Sequence, residues 1–453
     1  MVDKDTPNPQ SSAVPSSRLG RLARIGSMAS SVAGNMLVAG VQQLAQGKRP
    51  KLSDLLLTPA NARKVAQQLA QMRGAAMKVG QLISMDAGEL LPPELAAILG
   101  RLRSDAHAMP QRQVQAVLTA NWGAQWQQRF AHFSFTPIAA ASIGQVHRAT
   151  TTDGRDLAIK IQYPGVRKSI SSDVNNVASL LRLSGLLPKT LDVAPLLAEA
   201  KRQLREEADY QAEGAYLQRF FDLLAGAPEF VVPALHADLT TKNVLAMSFV
   251  EGVPVESMEN APQEERDRMV SLLVGLLFRE LFEFGLMQTD PNFANYRYNP
   301  ASKQLILLDF GATRSFTPAF GQAYVQLMHA AMAGDRAGMA RAGLAIGYFS
   351  AQTQPQHQEA VLDIFQMALE PLCYQGAYDF GTTDMAQRLR QAGMALGLDR
   401  DFWHIPPIDT LFLHRKLGGL FLLAARLRAR VNVGQLLQEN GPYMALNAAS
   451  GTP

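Results

Sequence analysis

Four residues have the types and spacing to handle a nucleoside triphosphate. They are Lys160 in LAIKIQYPG, Asp290 and Asn295 in MQTDPNFAN, and Asp309 in LLDFGATR. A triphosphate needs cations against its negative oxygens. The ammonium of Lys160 supplies one, and a magnesium ion held by the oxygen donors of Asn295 and Asp309 supplies another. Asp290 would orient the attacking nucleophile, water or a substrate hydroxyl. Asp290 precedes Asn295 by five residues, and Asp309 opens its DFG triplet fourteen residues after Asn295.

That order is the order of a protein-kinase nucleotide site, in which an AIK lysine, an aspartate five residues before an asparagine, and DFG follow one another. A lone DFG is weak evidence; four matches in sequence are strong. The loop ahead of the lysine departs from the pattern. Setting Gly144 and Val146 of AAASIGQVH on the end of G-x-G-x-x-G-x-V puts Ala139 and Ala141 where the first two glycines belong. The expected nucleotide lid is therefore Ala139, Ala140, Ala141, Ser142, Ile143, Gly144 and Val146, with less backbone freedom to close on phosphates than a glycine loop has. Met247 and Val250, in the strand candidate NVLAMSFV, complete the expected nucleotide-binding set.

Lys160 also needs a carboxylate to hold it inward. Glu207 and Glu213 are both candidates, and six residues correspond to about 240° around a helix, so they cannot share a face. Asp209 and Glu213 do share one. Glu213 is favoured and Glu207 stays open. Only five residues separate DFG from the helix-start signal Thr317-Pro318, too few for a segment that docks a peptide substrate. Protein phosphorylation is thus the least expected activity, behind ATP hydrolysis and behind a nucleotide-gated scaffold.

The elements that must position these residues follow from patterning. Residues 60–130 have apolar residues at helical spacing. A β region is expected in FSFTP, QVHRAT and DLAIKIQ, the last two joined by the turn Asp153-Gly154. A long helix is expected from about Val193 to Leu224, strands in FVVP and NVLAMSFV, helices over Glu264–Leu286, a strand in QLILL, and mostly helix over 317–446. The domain expectation is a disordered tail at 1–17, a basic amphipathic or membrane-proximal helix at 18–50, and a helical extension at 51–130. An N-lobe at 131–252, a C-lobe at 253–446 and a tail at 447–453 follow.

Composition narrows the function classes. The single cysteine, Cys373, excludes an intrachain disulfide framework and a cysteine-cluster metal site, and the eight histidines are scattered without metal-ligand spacing. Residues 1–50 carry six basic and two acidic residues, which is the whole net charge of +4. A neutral body argues against a nucleic-acid protein. A basic front next to the uncharged stretch 25–47 points to an anionic membrane surface; that stretch is expected to lie on a membrane, span it or pack as a soluble helix. Acidic residues at 3 and 5 and the lack of an apolar core argue against a signal or transit peptide.

MKVGQLISM, AAASIGQVHRA, AIKIQYPGV, EADYQAEGAY, ELFEFGLMQTDPNFANY, LLDFGATR and LHRKLGG together resemble the UbiB-like atypical kinases, or aarF-domain kinase-like proteins, nearest the branch that supports ubiquinone biosynthesis. The resemblance covers about residues 18–440. It implies an α+β, protein-kinase-like two-lobed fold, with a small β-rich N-lobe, a helical C-lobe and an additional helical N-terminal extension. An alanine-rich nucleotide loop is normal in that family. The resemblance also implies a K-x-G-Q helix at Lys78, Gly80 and Gln81 that covers the place where a kinase accepts a protein substrate. An E-x-D motif at Glu207 and Asp209 would face it, leaving Glu213 for Lys160. ATP and magnesium are the implied cofactors. The implied partners are an anionic membrane surface and isoprenoid quinone precursors or their biosynthetic enzymes, with a homodimer allowed and nucleic acid excluded. Many bacterial members carry a hydrophobic C-terminal anchor; LGGLFLLAARL is short for one and is interrupted by Arg426. The expected location is cytoplasmic and peripheral to a membrane, in a bacterium by preference, or on the matrix face of a mitochondrial membrane.

Overall fold

The computed structural model of the chain describes Ala75, Ala76, Lys78 and Val79 and residues 108–183, 194–398 and 406–441. The expected tails, the basic helix at 18–50, most of the extension, Gly80 and Gln81 lie outside those residues. The described residues up to Ala215, with Ala234–Phe249, form one compact unit. Tyr216–Pro233 and the described residues from Val250 onward form a second.

The first unit is organised by an antiparallel sheet. Its strands are β1 (Phe130–Phe133), β2 (Ala139–Ala140), β3 (Gly144–Thr151), β4 (Asp156–Gln162) and β5 (Val244–Ser248), in the order β1-β3-β4-β5 with β2 added on β3. Gly154, at φ 90°, makes the turn between β3 and β4 at the Asp153-Gly154 signal. Of FSFTP only its first residue, Phe133, is in a strand, the last of β1; just beyond it the Ser134 carbonyl accepts from His147 Nδ1 at 2.8 Å.

Helix α1 (Gln111–Trp122) buries Val114 and Leu118 against this sheet, beside Trp126, Phe130, Leu157 and Ile159. Helix α2 (Val166–Leu183) was not legible among its serines and asparagines, which favour turns over helix interiors. It forms because Ile170, Val174, Val177 and Ala178 make one buried stripe at helical spacing. The expected long helix is two, α3 (Ala194–Glu207) and α4 (Tyr210–Leu223). Between them Asp209 accepts from the Ala212 amide at 3.2 Å and caps the second.

In the second unit α5 (Gln263–Phe278) runs into a π-helical turn at Arg279–Glu283 and stops at Gly285, φ 57°. Leu286 therefore begins a strand, not the end of a helix. That strand, β6 (Leu286–Gln288), is followed by β7 (Tyr296–Asn299), β8 (Gln304–Leu307) and β9 (Thr313–Ser315). β7 pairs antiparallel with β8, and β6 with β9. The short strand Phe230–Val231 pairs parallel with β8, which is why Tyr216–Pro233 belongs with this unit. Thr317 caps α6 (Pro318–Met332), accepting from the Phe320 amide at 3.2 Å, as the Thr-Pro signal implies. The rest is mostly helical: α7 (Arg336–Ile346), α8 (Pro355–Ala368), α9 (Met385–Leu398), α10 (Ile408–Arg426) and α11 (Val433–Asn440).

Each unit holds a buried neutral histidine. His147 Nδ1 donates to the Ser134 carbonyl, so Nε2 accepts from Gln145 Nε2 at 2.8 Å, while Gln145 Oε1 accepts from the Met109 amide at 2.8 Å. A second proton on His147 would leave Nε2–H facing an amide donor. In the second unit Tyr324, Tyr348 and His414 form a hydroxyl-to-imidazole chain. Burial holds both imidazoles down at about 4. Below the ordinary histidine range the unfolded chain takes up protons that these two refuse, so stability is complete above about pH 6.5 and is lost as pH falls toward about 4. Going from about pH 7.5 to about pH 5 should cost about 2 kcal/mol per histidine. In urea unfolding, His147→Gln should be less stable at neutral pH yet lose less on acidification than the parent. An equal loss in both would contradict a neutral buried His147.

Candidate functional site

In the first unit the alanine stretch forms a tight hairpin. Ala139 pairs with Val146 and Ala140 with Gln145, and the Ala141 amide donates to the Gly144 carbonyl at 2.9 Å. Ala139, Ala140 and Ser142 are exposed, Ala141 and Val146 half-buried, and Ile143 packs inward with its carbonyl taken by the Tyr163 amide. Gly144 is glycine for want of room. A Cβ there would overlap the Ile161 carbonyl oxygen and stand 2.9 Å from the Tyr210 hydroxyl. Met247 is buried on β5 opposite Ala158, and Val250 is half-buried just beyond that strand.

Lys160, on β4, is buried. Its Nζ donates to Glu213 Oε1 at 2.8 Å and lies 5.2 Å from the centre of the Tyr210 ring. Glu213 sits in the first turn of α4, where the helix dipole favours a carboxylate. Glu207, the last residue of α3, forms an ion pair with Lys78 and accepts from Ser142 Oγ at 2.8 Å. Lys78 is only 4% exposed, so this side chain is not a solvated one. Asp209 does not join them; it caps α4 and pairs with Arg167 at 3.6 Å.

In the second unit Asp290, Asn295 and Asp309 sit on two loops that the two ladders bring side by side. At one end Thr289 donates through its amide and its hydroxyl to the Ala312 carbonyl, at 3.1 and 2.7 Å. At the other the Leu308 amide donates to the Asn295 carbonyl at 3.0 Å. Asp309 Oδ1 accepts from the Gly311 amide at 3.0 Å. Asn295 Nδ2 donates to Asp290 Oδ2 at 3.3 Å, which leaves the Asn295 side-chain carbonyl as an acceptor. A carboxylate and an amide oxygen are hard donors of the kind magnesium prefers over zinc or copper. Among the described residues no group of three or more His, Cys, Asp or Glu side chains could hold a metal.

Sequence reasoning gave no role to the residues of α10 that hold this loop. Arg415 Nη2 donates to Asp290 Oδ1 at 2.7 Å from a buried guanidinium. A Cβ on Gly419 would overlap Pro291, so only glycine lets the loop come so close. The available signal was a His-Arg-Lys run and two glycines inside an otherwise apolar helix.

An aspartate and asparagine on one braced loop, a DFG aspartate on its neighbour, and a strand lysine paired to a helical glutamate constitute a kinase-like α+β enzyme. Residues 101–343 match the ABC1 atypical kinase-like domain, and the chain belongs to that family. It is 38% identical over 438 residues to the atypical kinase COQ8, mitochondrial, of Saccharomyces cerevisiae, across 96% of this chain and 87% of the relative. It is 38% identical to the rat atypical kinase COQ8B, mitochondrial, across 94% and 81%. It is also similar to Rv3197 of Mycobacterium tuberculosis, solved in complex with erythromycin, with a TM-score of 0.59 and 25% identity over 83% of this chain and 96% of that one. The two COQ8 relatives are mitochondrial, so the preference for a bacterial host draws no support from them. No helix among the described residues is long and apolar enough to cross a membrane.

Removing one partner of a buried pair leaves an uncompensated charge, whereas replacing both with apolar residues of similar volume is often neutral. Glu213→Leu should therefore destabilise the protein by about 3–5 kcal/mol, and Lys160→Met in the same chain should restore most of that. Denaturant unfolding of the single and double variants checks it; additive losses would contradict the pair.

Proposed function

We propose that this chain binds magnesium-ATP and hydrolyses it, in support of isoprenoid quinone (ubiquinone) synthesis at a membrane surface. The observation that carries the reading is the pair of adjacent loops, tied together at both ends, that present Asp290, Asn295 and Asp309. Lys160 binds phosphate oxygens, and Glu213 keeps its ammonium from wandering. Asp290, with Oδ1 on Arg415, orients a water or hydroxyl rather than roaming with the loop. Asn295 and Asp309 hold the metal. Magnesium, when bound, neutralises charge on the phosphates. The basic front of the chain supplies attraction to anionic lipid at about 1 kcal/mol per basic residue near the surface. The quinone link rests on the family resemblance of the motifs.

Phosphate release from the purified full chain, with and without anionic vesicles and a polyprenyl-phenol mimic of a quinone precursor, tests the proposal. Magnesium-dependent release should rise with vesicles, and Asp309→Asn should lose about a hundredfold or more in rate at an unchanged melting temperature. An Asp309→Asn protein that hydrolyses ATP at the parent rate would sink the site assignment. Nucleotide-dependent vesicle binding with no hydrolysis in the parent would favour a gated scaffold instead.

A further inference from the structure

One buried cation of the second unit has no part in the mechanism so far. Lys416 lies one residue after Arg415 on α10 and is 5% exposed. Its Nζ donates to the Gln288 carbonyl at 2.8 Å, to Gln288 Oε1 at 3.3 Å and to the Tyr296 hydroxyl at 2.7 Å, with Glu280 Oε2 at 3.4 Å. Gln288 is the last residue of β6 and Tyr296 the first of β7. They are the two ends of the 289–295 loop. Glu280, on the π-helical turn, accepts from the Gln288 amide at 3.1 Å, so the Gln288 backbone is gripped by a buried charge on each side. Taking an ammonium and a carboxylate out of water costs several kcal/mol each, and an apolar pair of the same volume is often as stable or more so. Stability is therefore a poor reason for this pair, and registry of the loop is a better one.

We propose that Lys416 is a positioning residue: by tying Gln288 to Tyr296 it closes the 289–295 loop into a ring, and so fixes where Asp290 points and where Asn295 offers its oxygen. The proposal rests on the reading of that loop as the catalytic one. Its ammonium is taken up by Gln288, Tyr296 and Glu280, so it acts through the loop ends. The neighbouring Arg415 fixes the Asp290 side chain itself, so the two residues divide side-chain and backbone positioning between them.

Two variants test it in the full chain. Lys416→Met with Glu280→Gln removes both charges at similar volume and keeps an acceptor for the Gln288 amide. Tyr296→Phe removes one hydroxyl and leaves the ring packed. In each, ATP affinity should stay within about twofold, while the magnesium concentration for half-maximal hydrolysis rises and kcat falls, by about tenfold in the double variant and about threefold in Tyr296→Phe. Hydrogen exchange of the 289–295 amides should quicken in both. A merely structural role would move the melting temperature and leave the magnesium requirement alone. Unchanged kcat, magnesium dependence and exchange in Tyr296→Phe would overturn the proposal, even if the double variant did not fold. A parent protein with no magnesium-dependent hydrolysis would refute the function proposed above; the exchange measurement would still decide whether Lys416 closes the loop.

Discussion

Two loops that carry three candidate site residues have to be held by something other than their own short length, and here two antiparallel ladders do it. β7 with β8 fixes the Asn295 end against Leu308, and β6 with β9 fixes the Thr289 end against Ala312. The DFG loop is therefore the hydrogen-bonding partner of the 289–295 loop at both ends. Neither can shift alone without breaking backbone hydrogen bonds. The five residues after DFG are accounted for as well: three of them are β9, and Phe316 donates its amide to the Gly285 carbonyl at 2.9 Å. The segment that would dock a peptide in a protein kinase is spent on the sheet.

The second constraint is electrostatic. Lys160 with Glu213, Lys78 with Glu207, and Arg415 with Asp290 are largely withdrawn from water. Such pairs repay little more than their desolvation, so their worth lies in fixing direction. Exposed pairs such as Arg388 with Asp384 are screened by solvent and contribute little. The contrast separates the candidate site charges from the solvated ones better than their density along the sequence does.

Spacing made the site's core legible: Asp290 and Asn295 five apart, DFG after an apolar strand, and an AIK lysine on a strand that also reads as one. Contacts distant in sequence were not legible. Arg415 meets Asp290 across 125 residues, and nothing local to either announces the other. Geometry on a single helix excluded Glu207 and Glu213 from one face, yet the chain breaks at Ala208-Asp209, so each is placed by a different helix. The serines and asparagines of α2 masked a helix that tertiary burial of four apolar residues enforces. Nothing in the sequence marked Gln145 and His147 as buried; they form an interior network because the Met109 amide and the Ser134 carbonyl satisfy them.

The central proposal is that the loops at 289–295 and 308–312 hold the metal and that Lys160 binds phosphate oxygens. Hydrogen exchange of the intact protein, with magnesium alone and with magnesium plus a non-hydrolysable ATP analogue, tests that most directly. The account predicts that the analogue slows exchange in peptides covering 139–146, 289–295 and 308–312, with little change on α8 and α9. Protection confined to other segments, or none at saturating analogue, would contradict it.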